Sequence, residues 1–168
     1  MKFARLVARL IIGILFIGHG TQKLKGWFGG PGIEGTTGMM ESLDLHPPRR
    51  HAIAAGVAET TGGALLAAGL LTPLASASLI GVMITAIRTV HGRKGVWSAQ
   101  GGYEYNLVLI AALLALAEEG PGSLSLDNAF GLRTSGVPWS LGALALGTAA
   151  SIATVETGRS SGAHADPA

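Results

Sequence analysis

Residues 88–106, with the sequence RTVHGRKGVWSAQGGYEYN, place polar and charged side chains between two apolar runs, residues 74–89 and 107–117. Apolar runs of this kind are typical of helices in a bilayer. Polar groups at the point where a helix leaves the apolar layer are more often functional than polar groups on a soluble loop. The stretch therefore predicts two membrane helices with functional residues where the chain leaves and re-enters the membrane.

The composition of the whole chain agrees with a membrane protein. Of 168 residues, 48% are hydrophobic and 13% are charged, and the mean hydropathy is +0.45. An ordinary soluble domain carries about twice that charged fraction, roughly 25%. The net charge is only +2 and no basic stripe with interleaved aromatics occurs, which excludes a nucleic-acid surface. We expect an all-α, multi-pass protein of the cell membrane, in contact with the lipid bilayer.

The chain contains no cysteine. This excludes an internal disulfide, a CxxC redox pair and a thiolate metal site. If the protein takes part in redox chemistry, a bound group or a partner subunit must therefore carry the electrons.

The apolar segments predict four core transmembrane helices and a fifth apolar helix near the C-terminus. The core spans are residues 4–24, 52–71, 74–89 and 103–119, and the fifth segment is residues 138–155. A glycine- and proline-rich loop, residues 26–50, contains a short surface helix at residues 37–45. We expect a four-helix domain over residues 1–128, an additional helix within 129–156 and a disordered tail at 157–168.

Short connections make neighbouring spans antiparallel, so each polar residue can be assigned to one side of the membrane. Polar residues of four spans gather on one side, which we call the mouth face; they are His19, Gln22, Lys23, Glu59, Arg88, His91, Tyr103, Glu104 and Asn106. Glu59 lies among small residues that allow a close helix neighbour, so it should point at another helix. The sequence predicts a polar pocket at this face.

Three interpretations of the pocket stay open. In the first, the charges only lock helices together through an ion pair such as Arg88 with Glu59 or Glu104. In the second, the pocket binds the headgroup of a quinone or another lipid-soluble redox compound. In the third, His19, Glu59, His91 and Glu104 hold a metal ion, although no HxxxH or ExxH spacing supports it.

Charged residues on the opposite side, which we call the distal face, have a plainer interpretation. Arg5 and Arg9 begin the first span, and Glu118 and Glu119 end the fourth. We expect structural ion pairs between these two groups, because unpaired charges near a bilayer are costly.

The order of the motifs resembles the DoxX family of small bacterial membrane proteins. The matching pieces, which cover residues 3–128, are Arg9 with residues 13–16 (GILF), residues 20–23 (GTQK), Glu59 with Gly62 and Gly63, Arg88 with His91, residues 101–106 (GGYEYN), residues 120–122 (GPG) and residues 125–127 (SLD). The resemblance implies a four-helix membrane bundle. Residues 138–155 depart from that pattern.

Some DoxX relatives are subunits of quinone-linked sulfur oxidoreductases, and others anchor an oxidant-defence complex with a superoxide dismutase and a sulfurtransferase. The resemblance thus implies a membrane subunit of a quinone-linked redox or oxidative-stress system, an oxidoreductase subunit if it is catalytic. A non-catalytic scaffold for partner proteins and a small-molecule or ion carrier are the alternatives, and a homo-oligomer stays open. The distribution of Lys and Arg favours a cytoplasmic mouth face, whereas the basic N-terminus favours the reverse.

Overall fold

The computed structural model describes residues 2–163, and helices account for all regular secondary structure in that range. The α-helices are α1 Lys2–Lys25, α2 Gly32–Ser42, α3 Pro48–Ala68, α4 Thr72–Ala86, α5 Glu104–Glu119, α6 Leu126–Ala129 and α7 Val137–Ala163. Helices α1, α4 and α7 end at the mouth face, where α3 and α5 begin. The predicted all-α fold is confirmed.

Among the described residues, three segments are long and apolar enough to cross a membrane: Phe3–Lys25, Thr72–Lys94 and Val137–Gly162. Helix α7 is one of them, so the C-terminal apolar segment has the character of a span. Helix α3 is long enough but less apolar, and α5 has 16 residues. Both run between the same two faces; α3 packs against α1 and α4, and α5 packs against α4 and α7. The structure is therefore a helical membrane bundle.

Two sequence-based boundaries need correction. The short helix of the mouth-side loop is Gly32–Ser42, which begins directly after Pro31 and ends before the predicted residue 45. The predicted disordered tail is helical up to Ala163, because Gly158 and Gly162 pack against the connection between α2 and α3. There the amide of His46 donates a hydrogen bond of 3.1 Å to the carbonyl of Gly158. Residues 164–168 lie outside the described range.

Helices α1 and α3 approach each other through glycines. A Cβ added to Gly13 would lie 2.6 Å from the carbonyl oxygen of Gly63, and one added to Gly20 would lie 2.6 Å from that of Gly56. The two contacts are seven residues apart on both helices and run in opposite directions, so α1 and α3 are antiparallel neighbours. In lipid such small-residue faces let backbones come close, and packing then replaces the hydrophobic effect as the source of association.

Helix α4 lies at the centre of the bundle. Nine of its residues are buried and cover most of the helix circumference, and the remaining stripe is formed by the exposed Leu74 and the half-buried Ser78 and Val82. Helices α3, α5 and α7 pack on it. The closest approach is to α7, where a Cβ on Gly147 would lie 2.7 Å from the carbonyl oxygen of Ala77. An apolar helix that is buried over most of its surface forms the core against which the others are arranged.

The distal end of the bundle is closed by Asp127, which is fully buried. Its carboxylate accepts hydrogen bonds from the Leu71 amide at 2.8 Å, the Thr72 amide at 3.2 Å and the Thr72 hydroxyl at 3.1 Å. Its own amide donates to the carbonyl of Gly69 at 2.9 Å. The loop after α5 thus caps the first turn of α4, whose amides have no partner within the helix.

The predicted ion pairs at the distal face form only in part. Arg5 Nη1 donates to the backbone carbonyl of Glu119 at 2.6 Å and lies 3.9 Å from its carboxylate. Arg9 is fully buried and reaches neither glutamate; its Nη2 donates to the carbonyl of Leu124 at 2.6 Å. Glu118 instead accepts a 3.4 Å hydrogen bond from the Ser140 hydroxyl. The pairing differs from expectation because the loop after α5 folds back over the start of α1.

Exposed aromatic side chains lie at both ends of the bundle. Trp27, Phe28 and Trp97 are exposed at the mouth face. Phe3, Phe130 and Trp139 are exposed at the distal face. Trp and Tyr are enriched at the two interfaces of a membrane protein, where an apolar ring contacts both lipid and headgroups. These rings therefore mark the two membrane boundaries.

The glycine contacts between α1 and α3 predict a position-specific effect of alanine. Gly13→Ala should destabilise the protein by about 1–3 kcal/mol, because the new Cβ overlaps the α3 backbone. Gly18→Ala, on the same helix, has no atom within 4 Å of the added Cβ and should be neutral or slightly stabilising. Thermal unfolding of both variants in mild detergent checks this. Equal midpoints would contradict the packing.

The cap formed by Asp127 predicts a second loss of stability. Asp127→Ala leaves the buried amide of Thr72 and the part-buried amide of Leu71 without acceptors, and a buried group left so costs about 1–3 kcal/mol. The exposed neighbour Asn128→Ala serves as control, since its backbone amide still bonds to Ser125. The free energy of unfolding should fall in the first variant and stay within about 0.5 kcal/mol in the second.

Candidate functional site

The mouth-side end of α4 continues as a π-helical turn, Ile87–His91. Such turns are rare and occur frequently at functional sites. On this turn Arg88 lies against α7, where it donates to the carbonyl of Ser151 at 3.0 Å and to the carboxylate of Glu156 at 2.6 Å. His91 lies toward the start of α5, with Nδ1 2.7 Å from the carbonyl oxygen of Gly101.

An ion pair between α1 and α3 lies next to the glycine contacts. Lys23 Nζ is 2.6 Å from Glu59 Oε2, and Glu59 is only 3% exposed. Lys23 follows Gly20 by three residues, and Glu59 follows Gly56 by three, so the backbone approach brings the two side chains together. A carboxylate buried at this depth requires such a cation. Within residues 2–163, the second oxygen of Glu59, Oε1, accepts no hydrogen bond.

A first cavity, which we call the α1–α5 crevice, lies between α1 and α5 with α4 as its floor. Its volume is about 380 Å³. Apolar side chains of all three helices form most of the wall, among them Ile12, Phe16, Met83 and Leu109. The polar residues that line it are His19, Lys23, Glu59, His91, Ser98, Tyr105 and Asn106.

A second cavity, which we call the α3–α7 crevice, lies on the other side of α4. Its volume is about 500 Å³, and its walls come from α3, α4 and α7. Met39 and Met40 of α2 lie over its mouth-side end. The two crevices share His19, Lys23, Glu59 and His91, which we call the polar junction. The junction is thus reached from two sides of the central helix.

Some polar side chains at and beside the polar junction have donors or acceptors that the protein itself does not use. Because a carbonyl oxygen can only accept, His91 Nδ1 carries a proton, and Nε2 of the neutral ring is an acceptor. The amide nitrogen of Asn106 contacts only the sulfur of Met83 at 3.4 Å, a weak acceptor. His19 Nδ1 lies 3.1 Å from Gln22 Oε1. The site can therefore donate to and accept from a polar group that enters either crevice.

Six of the nine predicted pocket residues line the crevices. His19, Lys23, Glu59, His91 and Asn106 line the α1–α5 crevice, and Gln22 lines the α3–α7 crevice. The remaining three, Arg88, Tyr103 and Glu104, line neither.

Arg88 does not pair with Glu59 or Glu104, the example given for the first interpretation, because Glu156 of α7 is its partner; the helix-locking pair of Glu59 is with Lys23. The carboxylate of Glu104 accepts from the Ser98 amide at 3.0 Å and so stabilises the loop before α5. Tyr103 precedes the first turn of α5 and lies outside both crevices. These three residues therefore belong to the structure around the crevices and not to their walls.

Tyr105 lines the α1–α5 crevice and was missed by sequence reasoning. The spacing of Gly102, Tyr105, Asn106 and Leu109 places these residues on one helical face. That spacing could have identified Tyr105 in place of Tyr103.

The predicted metal ligands do not form a metal site. In the described part of the chain, no three His, Cys, Asp or Glu side chains are arranged to hold a metal ion. Glu104 is turned toward Ser98 and Glu59 is paired with Lys23.

Comparisons with known proteins connect this architecture to one family. The sequence model described as DoxX matches residues 4–92. The inner membrane protein YphA of Escherichia coli is 32% identical over 73% of this chain and 87% of its own length. A membrane protein of Mycobacterium tuberculosis is 28% identical over 76% of this chain and 81% of its own. CatD of Bacillus subtilis, whose name includes the word oxidoreductase, is 34% identical over 75% and 86%. No solved structure matches the chain.

The buried Lys23–Glu59 pair should have a larger coupling energy than an exposed ion pair. Lys23→Met alone should destabilise the protein by about 3–5 kcal/mol, because it leaves Glu59 buried without a cation. In the double variant with Glu59→Gln much of this loss should be recovered. The exposed Arg49–Glu34 pair, at 2.8 Å, is the control, and its coupling should be about 0.2–1 kcal/mol. Equal couplings in the two double-mutant cycles would contradict the burial argument.

Proposed function

The chain belongs to the DoxX family of membrane proteins, and we propose that it is the membrane subunit of a quinone-linked redox or oxidative-stress system. The observation that carries the proposal is the polar junction, which lies inside two apolar crevices at one membrane face. A lipid-soluble ring compound can enter such crevices from the bilayer and find both donors and acceptors there.

The chemistry of a quinone fits the groups at the junction. Reduction adds two electrons and two protons and converts both carbonyl oxygens to hydroxyls. The ammonium of Lys23 and the amide of Asn106 can donate hydrogen bonds to the carbonyls of the oxidised form. Nε2 of His91 and the free oxygen of Glu59 can accept hydrogen bonds from the hydroxyls of the reduced form. The same site can thus bind both redox states.

The electrons come from a partner in this proposal, because the chain has no cysteine pair to supply them. Lys25, Arg50, Arg93 and Lys94 are exposed at the mouth face, and none of them has an ion-pair partner in the described residues. A redox protein with an acidic surface would be attracted to this face. The proposal takes the mouth face as cytoplasmic, the side that the distribution of Lys and Arg favours, so the partner would be a cytoplasmic protein.

A second candidate function is a non-catalytic membrane scaffold. The observation that favours it is the short distance between Lys23 and Glu59, since this pair alone neutralises the buried carboxylate and locks α1 to α3. In that case the crevices would hold only lipid, and a quinone would have no defined site.

Binding of a short-chain quinone distinguishes the two functions. The purified protein in lipid nanodiscs is titrated with a benzoquinone that carries one isoprenoid unit. Asn106→Leu removes a donor and should weaken binding about three- to tenfold, the value of a hydrogen bond of roughly 0.5–1.5 kcal/mol. Asn128→Leu, at the distal face, should bind like the unmodified protein.

A matched tyrosine pair tests the same site independently. Tyr105→Phe changes a residue that lines the α1–α5 crevice, whereas Tyr103→Phe changes its near neighbour outside it. Only the first should alter quinone affinity. If the folded protein binds no quinone, or if all four variants bind equally, the scaffold function is favoured.

A further inference from the structure

We infer that the α3–α7 crevice binds the hydrocarbon chain of the ligand whose headgroup occupies the polar junction. The inference rests on the proposed function and specifies its substrate class: a long-chain, membrane-resident quinone rather than a small quinone from water. The headgroup lies toward the α1–α5 crevice, and the chain extends past Ala86 into the α3–α7 crevice.

Five of the six hydroxyl groups in the wall of the α3–α7 crevice are already used within the protein, and within residues 2–163 only that of Thr154 has no hydrogen bond. Thr85 Oγ1 bonds to the carbonyl of Gly81 at 2.8 Å and to the hydroxyl of Ser151 at 3.0 Å. The Thr36 hydroxyl donates to the carbonyl of Gly32 at 2.7 Å. A helical Ser or Thr that bonds to its own backbone presents its carbon atoms to the outside. The wall therefore offers an apolar surface despite its composition.

The two crevices thus differ in chemistry although they share one end. The α1–α5 crevice contains the unused capacity of His91 and Asn106, and the α3–α7 crevice beyond the junction offers mostly satisfied hydroxyls, alanines and methionines. An amphiphile matches this division, with a hydrogen-bonding head on one side and an apolar chain on the other.

The size of the α3–α7 crevice favours a chain over a protein segment. An α-helix is about 10–12 Å across with its side chains, so 500 Å³ would accommodate only about one turn. A hydrocarbon chain is narrower and can follow the crevice between α3 and α7. Along its walls lie small residues, Ala54, Ala58 and Ala150, which leave room for such a chain.

Helix α2 determines how the mouth-side end of the crevice is closed. Met39 and Met40 lie over this end, and Met40 is 7% exposed. Methionine side chains are unbranched and flexible, so they adapt to an irregular apolar surface. A chain beneath them is separated from water and remains within the leaflet.

A photoreactive quinone tests the location of the chain. The probe is a benzoquinone with a ten-carbon chain that ends in a diazirine, and the full-length protein is labelled in lipid nanodiscs and mapped by mass spectrometry. Adducts should concentrate on α3 residues 54–58 and α7 residues 150–154. An excess of the short-chain quinone should lower the yield of these adducts at least fivefold, because both ligands compete for the polar junction.

A matched pair on α7 separates the chain site from the headgroup site. Ala150→Phe fills the crevice and should reduce crevice adducts severalfold, with unchanged affinity for the short-chain quinone. Ala149→Phe changes the adjacent exposed residue, which does not line the crevice, and should leave the adducts unchanged.

Three outcomes would overturn the inference. Adducts spread evenly over lipid-facing residues, with normal short-chain binding, would remove the chain site and leave the proposed function standing. Equal labelling of the crevice by a photoreactive phospholipid, without competition by quinone, would mean that it holds bilayer acyl chains only. Failure of the short-chain quinone to bind at all would remove both the proposed function and this inference.

Discussion

The close backbone contact between α1 and α3 is the constraint on which the mouth-facing half of the molecule depends. Between helices in lipid the hydrophobic effect contributes little, so association must come from packing and polar contacts. The glycines at positions 13, 20, 56 and 63 permit that packing. The same approach brings Lys23 to Glu59, which makes a buried carboxylate acceptable at this depth. The close approach of α1 and α3 thus accounts for both the helix packing and the buried ion pair.

The central position of α4 explains why there are two crevices rather than one. Helix α4 packs against α3, α5 and α7, and the helices around it form two groups that do not close over it completely at the mouth face. The π-helical turn then places Arg88 and His91 on different sides: one contacts α7, and the other faces the start of α5. A single turn thus contains one residue that holds α4 to α7, Arg88, and one residue of the polar junction, His91.

Much of the fold could be predicted from the sequence because hydrophobic run length determines where membrane helices form. The placement of Glu59 among small residues also predicted a close helix neighbour, which is α1. The partner of Arg88 could not be predicted, because it lies on α7, whose position relative to α4 depends on three-dimensional packing at Gly81 and Gly147. The role of Glu104 depends on the loop conformation at Ser98, which periodicity does not encode.

The aromatic rings at the two ends of the bundle have a consequence for the site. Trp27 and Trp97 at one boundary and Trp139 at the other hold the protein at a defined height along the membrane normal. The depth of the junction below the headgroups is therefore set by hydrophobic matching between these rings and the host bilayer. In a thinner or thicker membrane the bundle would tilt, and the distance from the aqueous phase to Glu59 would change with it. Lipid composition would thereby affect the depth of the polar junction in the membrane.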